Sequence, residues 1–454
     1  MSVPCAFIPI RSWSWAGCTE SGSGPVWTTH PTCQPPNYSD NDHKRMTLKE
    51  IRQQLHRLAE TAHQEKETAA FVAARLREAG IEDIREGIGG YGLVATIDSR
   101  RPGPALLFRA ELDALPIDET ISLPYASRNS GVAHKCGHDG HMSVLIGLAQ
   151  ALQDRPLARG KVHLLFQPAE ETGEGAEKML GDHKMSGIAP DFAFALHNLP
   201  GFPLHSVLLR EDVFAAGSAG LIIRLTGNTA HAAHPDQGRS PAPAVAALIS
   251  SLQELPGSVL PSGRFGLATI IHVRIGDEAF GTTPGRAVLM ATLRAWEPED
   301  LEQLREQAVG LAYEVAEAQG LECGHEWTEV FHPTVNNPEA VALVRKAAEK
   351  LVASRAAKRG GDQTGYQSEK RAEFETLKRS GGQSVPLEIR DMAHPFSWSE
   401  DFGMFTNRFT GALVGIGAGE DHAHLHDTRY DFPDEILETG IALFTGIIDE
   451  CGLF

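Results

Sequence analysis

Apolar positions first fall into a regular rhythm at Thr47. Leu48, Ile51, Leu55 and Leu58 recur at helical spacing, Phe71, Val72 and Leu76 do the same, and the run stops at Gly80. Short, nearly continuous apolar runs follow at residues 105–108, 162–166, 192–196 and 412–416. Runs of that kind suit strands covered on both faces, as in a mostly parallel sheet. Helical spacing returns at 142–152 and 339–351, so strands and helices alternate. The pattern predicts an α/β fold, a mostly parallel sheet with helices on both faces. Residues 217 to about 327 read differently: a strand at 221–225, a helix at 242–255, strands at 268–273 and 287–293, and a helix at 299–319. A β-α-β-β-α order of that length is the size of a small α+β domain inserted between two parts of a larger one. The expected boundaries are 46–216 and 329–454 for the larger domain and 217–328 for the insert.

Residues 1–45 break this pattern. They are rich in Ser, Gly, Pro and Thr, carry Trp13, Trp15 and Trp27, and show no period. A disordered extension, or an upstream start with Met46 as the functional one, is the expectation. The stretch 356–382 is polar and glycine-rich and reads as an exposed excursion.

Composition narrows the function. In 454 residues, 42% apolar and 22% charged, the net charge is −18. An acidic chain is a poor match for nucleic acid or an anionic membrane surface, both of which favour a basic field. No stretch approaches ~18 consecutive apolar residues, and no secretory signal pattern opens the chain. Six cysteines, with Cys5, Cys18 and Cys33 in the atypical N-terminal stretch, are too few for a disulfide scaffold. A reducing cytoplasm is the expected location.

Ligand sites in open α/β sheets form beyond the carboxyl ends of the strands. Glu111 and Asp113 follow the first central run, Glu170 and Glu171 the second, and His197 the third. The last leads into a loop with His422, His424 and His426, and Cys136-Gly137-His138-Asp139-Gly140-His141 opens into the helix at Met142. Taken singly, each has a duller explanation: a satisfied polar histidine, a solvated acidic turn, a small buried cysteine. Five segments delivering thiol, imidazole and carboxylate to one sheet face point instead to a polynuclear metal site. Such donors suit zinc and similar first-row ions. Two ions ~3.5–4 Å apart would hold a bridging hydroxide and polarise a carbonyl. In a strand-like conformation Glu170 and Glu171 would point to opposite sides, one binding metal and the other free as general base.

Six collinear motifs then carry a family resemblance. They are Phe108-Arg109-Ala110-Glu111-Leu112-Asp113-Ala114-Leu115-Pro116, the Cys136–His141 motif, Gln167-Pro168-Ala169-Glu170-Glu171, Leu196-His197-Asn198, Ser399-Glu400-Asp401-Phe402 and Leu425-His426-Asp427-Thr428-Arg429-Tyr430-Asp431-Phe432. Together, over roughly residues 47 to 450, the chain resembles the M20 metallopeptidases. The similarity is to the amidohydrolase branch of N-acyl-amino-acid, hippurate and plant auxin-conjugate hydrolases. That resemblance implies two divalent ions, zinc first with manganese, cobalt or nickel as alternatives, held by Cys136, His138, Glu171, His197 and His426. It implies Glu170 as general base and Asp113 as the residue that orients a ligand histidine. It implies that the insert is a dimerisation or lid domain, making a homodimer. Its His231 would stabilise the tetrahedral oxyanion, from across the dimer interface. The substrate would be a small N-acyl amino acid or related amide.

Departures fall on the substrate side. A His-Pro-Glu segment common among relatives is absent from Leu58-Ala59-Glu60-Thr61-Ala62-His63-Gln64-Glu65, an Asn-x-Ile-Pro stretch is Gly281-Thr282-Thr283-Pro284, and a Pro-His is Pro235-Asp236. Other readings stay open: a dipeptidase or carboxypeptidase with the same centre, a non-catalytic metal-binding relative, or a thiol hydrolase with Cys136 as nucleophile. No Gly-x-Ser-x-Gly elbow supports a serine hydrolase. The glycines at 415, 417 and 419 read as flexible turn residues, not as a nucleotide loop.

Overall fold

The computed structural model describes residues 46–360 and 387–454. The expected extension, 1–45, lies outside the described residues, as does most of the 356–382 excursion, although its first residues continue a helix to Gly360.

Local rules set the first two helices. In α1 (Leu48–Leu58) Thr47 accepts the Glu50 amide, while the Glu50 carboxylate accepts the Thr47 amide at 2.7 Å, a reciprocal cap. Helix α2 (Lys66–Glu78) ends just before Gly80, whose φ of +84° lets the chain turn back. The chain then lays down β1 (Asp83–Ile88), β2 (Gly92–Asp98), β3 (Ala105–Glu111), α3 (His138–Asp154), β4 (Lys161–Gln167), α4 (Gly175–Gly181), β5 (Phe192–Pro200), β6 (Val207–Leu209) and β7 (Asp212–Ala215). Next come β8 (Gly217–Thr226), α5 (Ala242–Val259), β9 (Gly266–Ile275), β10 (Arg286–Ala295), α6 (Pro298–Ala318) and β11 (Glu322–Phe331). The return consists of β12 (Thr334–Asn336), α7 (Pro338–Gly360), β13 (Ile389–Asp391), α8 (Gly403–Thr406), β14 (Gly411–Gly419) and α9 (Leu437–Glu450).

The large sheet has the order β1-β2-β4-β3-β5-β14-β6-β13. Its centre, β4-β3-β5-β14, is parallel throughout, while β1, β2 and β6 add antiparallel pairings. Alternation along β3 shows why the central runs are continuous. Leu106 and Phe108 join the core under α1, α2, α3, α7 and α9, whereas Leu107 joins the opposite core with α4 and α8. Arg109 and Glu111 share the face of Leu107, and both are fully buried. That places charge inside the second core, next to the carboxyl ends of the strands.

Residues 217–331 build a separate antiparallel sheet, β11-β8-β10-β9, whose Leu221, Ile223, Leu225, Leu289 and Leu293 pack with Leu248 and Leu252 of α5 and Leu304 and Ala308 of α6. The links into and out of it pair with each other as the ribbon β7–β12. Two sequence readings change. A fourth strand, β11, follows the second helix, and the glycines at 415, 417 and 419 lie in β14 as buried strand residues.

Candidate metal centre

Each candidate ligand is delivered by a different piece of backbone. Cys136 and His138 flank the start of α3, where Gly137 holds φ +98° and a Cβ would fall 2.5 Å from Asn198 Oδ1. Only glycine fits that step, which turns the chain so that thiol and imidazole face one space. His197 stands near the end of β5, buried, and His426 sits in the loop after β14 with φ +65°. The His426 amide donates to the Lys135 carbonyl at 2.8 Å, which ties that loop to the Cys136 segment.

Glu170 and Glu171 correct the strand argument. They follow β4 in a turn, set by Ala169 at φ +50°, and both point into the cluster. Glu170 Oε2 and Glu171 Oε1 lie 3.8 and 3.9 Å from His138 Nε2. Their division of labour comes from their other neighbours. Glu171 Oε2 is 3.7 Å from His426 Nε2, while Glu170 Oε1 accepts the Asp401 amide at 3.4 Å.

The donor atoms form overlapping trios within 4.8 Å: Cys136, His138 and His197; Cys136, Glu171 and His426; His138, Glu170 and Glu171. Two observations test whether these residues fit a metal pair. First, ring orientation is fixed from behind. His138 Nδ1 donates to the Asp113 carbonyl at 2.8 Å and His197 Nδ1 to the Asn198 carbonyl at 2.9 Å, so each ring turns Nε2 inward. His138 Nε2 and Glu171 Oε1 are buried with no hydrogen-bond partner among the described residues. Asp113 Oδ2 also accepts the Glu171 amide at 3.0 Å, so one residue positions two candidate ligands, His138 through its main-chain carbonyl and Glu171 through its carboxylate.

Second, the potential is strongly negative. Burial, with Glu171 and Glu170 adding to it, pushes the Cys136 thiol well up. Burial lifts Glu171 to about 7 even though the His138 ring draws it down. His138 is held at about 9: burial opposes its charge, but Asp113 and Glu171 outweigh that. Protons gather where divalent cations would balance the same charge. The donor set therefore fits the ions. The raised thiol also argues against Cys136 as a nucleophile, which requires a depressed pKa.

Behind Glu170 lies a charged cluster whose roles the sequence does not reveal. Arg109 donates to Glu400 at 2.9 Å, Asp401 at 2.6 Å and Gln167 at 2.9 Å, and it also pairs with Glu111. Despite burial, Arg109 and His197 hold Glu400 down to about 2. Burial, then Glu400 and Glu171, push Glu170 well above its ordinary range. The trio Glu170, Glu400 and Asp401 also meets the distance test for a metal, but Arg109 already supplies its cation. Glu400 and Asp401 stand in a motif that carried the resemblance. What was illegible was their partner, a buried arginine on a distant strand.

A cavity of about 560 Å³ opens above the centre. Cys136, Glu170, Glu171, His197, Glu400 and His426 form its floor, and Phe202, Phe396 and Trp398 form one wall. Phe396 and Trp398 stack at 5.1 Å, and Trp398 lies 5.3 Å from the His197 ring. Arg294 lines the cavity without a carboxylate partner among the described residues, and its Nη1 donates to Ser399 Oγ at 2.7 Å. Burial alone acts on this guanidinium, pushing its pKa down. His424 reaches the cavity wall, whereas His422 packs edge-on to Tyr430, so of the three loop histidines one joins the trios. His231 is not brought in. It is exposed on the loop after β8, bridged to Thr282, and does not line the cavity.

Comparison with known proteins agrees with this fold. The chain belongs to peptidase family M20/M25/M40, whose model matches residues 107–386. It is 32% identical over 377 residues to the N-acetyl-L-cysteine deacetylase of Bacillus subtilis, covering 83% of this chain and 81% of that protein. It is 29% identical over 390 residues to the hippurate hydrolase of Campylobacter jejuni, covering 86% and 92%. Among solved structures, a dinuclear metal-binding peptidase of the M20 family from Bacillus subtilis superposes with a TM-score of 0.67 at 25% identity, over 88% of this chain and 96% of that one.

Proposed function

We propose that the chain is a two-metal amidohydrolase that cleaves N-acyl amino acids to a carboxylate and a free amino acid. The observation that carries the proposal is the meeting of Cys136, His138, Glu171, His197 and His426 around one space, with Glu170 beside them and anchored elsewhere. When bound, divalent ions supply Lewis-acid polarisation of the amide carbonyl and acidify water. Zinc leads among the candidates because thiolate and imidazole donors dominate, with manganese, cobalt or nickel as alternatives.

The chain's own residues do the rest. Glu170 takes a proton from the attacking water and returns it to the leaving nitrogen, and burial beside Glu400 and Glu171 raises its affinity for that proton. The Arg109, Glu400 and Asp401 cluster holds that carboxyl against the cavity floor. Arg294, desolvated and without an acid, takes the substrate carboxylate. The wall of Phe202, Phe396 and Trp398 takes an apolar or aryl acyl group.

The second sheet serves as a dimerisation and lid domain in this reading, with boundaries near 217–328. Its edge strand β9 exposes Leu267, Ile271 and Ile275, and Phe280 stands fully exposed on the loop bridged to His231. A second copy pairing along that edge would cover these side chains. His231 would then act on the partner's substrate, since it does not line its own cavity.

The test is Glu170→Gln. On N-acetyl and N-benzoyl amino acids, kcat should fall by about 10²–10⁴, the usual weight of a general base. Bound metal should stay at the wild-type level. Substantial residual turnover would remove Glu170 from that role.

A further inference from the structure

Beyond the proposed reaction, one charged residue of the cavity has no task. Glu329 lines the cavity, yet it makes no hydrogen bond or ion pair among the described residues. It sits in a bulge of β11. Thr328 pairs with Gly220 and Phe331 with Ser218, so β11 spends one residue more than β8 across that interval. The extra residue is accommodated by φ +48° at Glu329 itself. A glutamate in the left-handed region is uncommon, and such conformations persist where the surroundings impose them. Bulges re-aim side chains, and this one delivers a carboxylate to the cavity.

Arg294 lies on the other side of β8. It pairs with Ser218, as Thr292 pairs with Gly220. Going across the sheet, the sequence is therefore Arg294 on β10, Ser218 and Gly220 on β8, and Glu329 on β11. Neighbouring strands are ~4.8 Å apart, so the backbones carrying the two charges stand roughly 10 Å apart. Nothing larger than a serine lies between them on β8. Arg294 is tied to Ser399 and, among the described residues, forms no pair with Glu329. Opposite charges held apart over a floor of small residues complement a ligand with an anion at one end and a cation at the other.

We propose that Glu329 binds a cationic side chain of the substrate, so that this enzyme prefers N-acyl derivatives of basic amino acids such as Nα-acyl-lysine. The inference rests on the reading in which Arg294 takes the α-carboxylate. The other member of the same chemistry, the free ammonium of a dipeptide, is separated by the test.

The metal-loaded enzyme is assayed for kcat/KM on Nα-acetyl-lysine and on N-acetyl-2-aminoheptanoate, which carries a methyl in place of the ammonium. The wild type should favour the lysine compound by tenfold or more, and the ratio should shrink as salt rises. Glu329→Gln should bring the ratio close to one, and Glu329→Lys should move preference toward N-acetylglutamate. A wild-type ratio near one, or a ratio unchanged in Glu329→Gln, overturns the inference even if both compounds are cleaved. Should the variants fail to fold, the wild-type ratio and its salt dependence still decide. A Glu329-dependent preference for alanyl-2-aminoheptanoate over its N-acetyl form assigns the carboxylate to an N-terminal ammonium and overturns the basic-side-chain assignment. If no N-acyl amino acid is cleaved, N-acetylmethionine and hippurate included, it is the parent reading that fails.

Discussion

Glu170 and Glu171 show how adjacent residues of one type acquire different tasks. Both carboxylates face the same cluster, because Ala169 at φ +50° turns the chain where a strand would have sent them apart. Their difference lies in what touches them from behind: His426 on one side, Asp401 and Glu400 on the other. The candidate ligands were legible in the sequence because each follows an apolar run or opens a helix, positions a sheet brings together. Arg109, Arg294 and Glu329 were not legible as site residues. Each is a charged residue within a strand, and only the register shows which face and which neighbour it meets. Arg294 carries a residue-scale prediction. Arg294→Met should lower kcat/KM for N-acyl amino acids by about 10- to 100-fold, the weight of a charged hydrogen bond, chiefly through KM. An N-acyl amine without a carboxylate should show no such loss, and an equal loss on both would contradict the assignment.

At the scale of elements, strong periodicity was readable and weak periodicity was not. Helices α1, α2, α3 and α7 and the four central strands fall where the apolar spacing put them. Strand β11 escaped because its exposed residues, Glu322, Gly324, His325, Glu326 and Glu329, leave little apolar alternation. Strands β6, β7, β12 and β13, of three or four residues each, are too short to show a period. Contact between α1 and the start of α3 also yields a pH prediction. His56 is buried between Asp139 at 2.8 Å and Glu119 at 2.9 Å, with Arg52, Lys135, His134 and Tyr125 packed around them. Burial opposes its charge, but the two carboxylates lift its pKa from 6.5 to about 9. Between those values the folded state holds a proton that the unfolded state has lost. Stability from this group is therefore full below pH 6.5 and disappears as pH rises through about 9. Denaturation of wild type and His56→Gln should show a gap of up to roughly 3 kcal/mol at pH 6 that narrows by pH 9.5. A gap constant with pH would show that the ring acts by packing alone.

Over the whole molecule, two sheets divide the work. The parallel sheet gathers the donors at its carboxyl ends, and the antiparallel sheet contributes Ser218, Gly220, Thr292, Arg294 and Glu329 to the cavity above them. Among the described residues no helix is long and apolar enough to cross a membrane. If β9 is the dimer edge, light scattering should report a dimer, and Ile271→Asp should yield a monomer of lowered kcat because His231 no longer reaches a neighbouring cavity. A fully active monomer would contradict that arrangement. Everything else depends on cations sitting where thiol, imidazole and carboxylate converge. The most direct measurement is a crystal structure of the metal-loaded enzyme with anomalous scattering recorded at the metal edge. Two peaks should appear, both within bonding distance of atoms drawn from Cys136, His138, Glu171, His197 and His426. A single peak elsewhere, or none at saturating metal, would contradict the account.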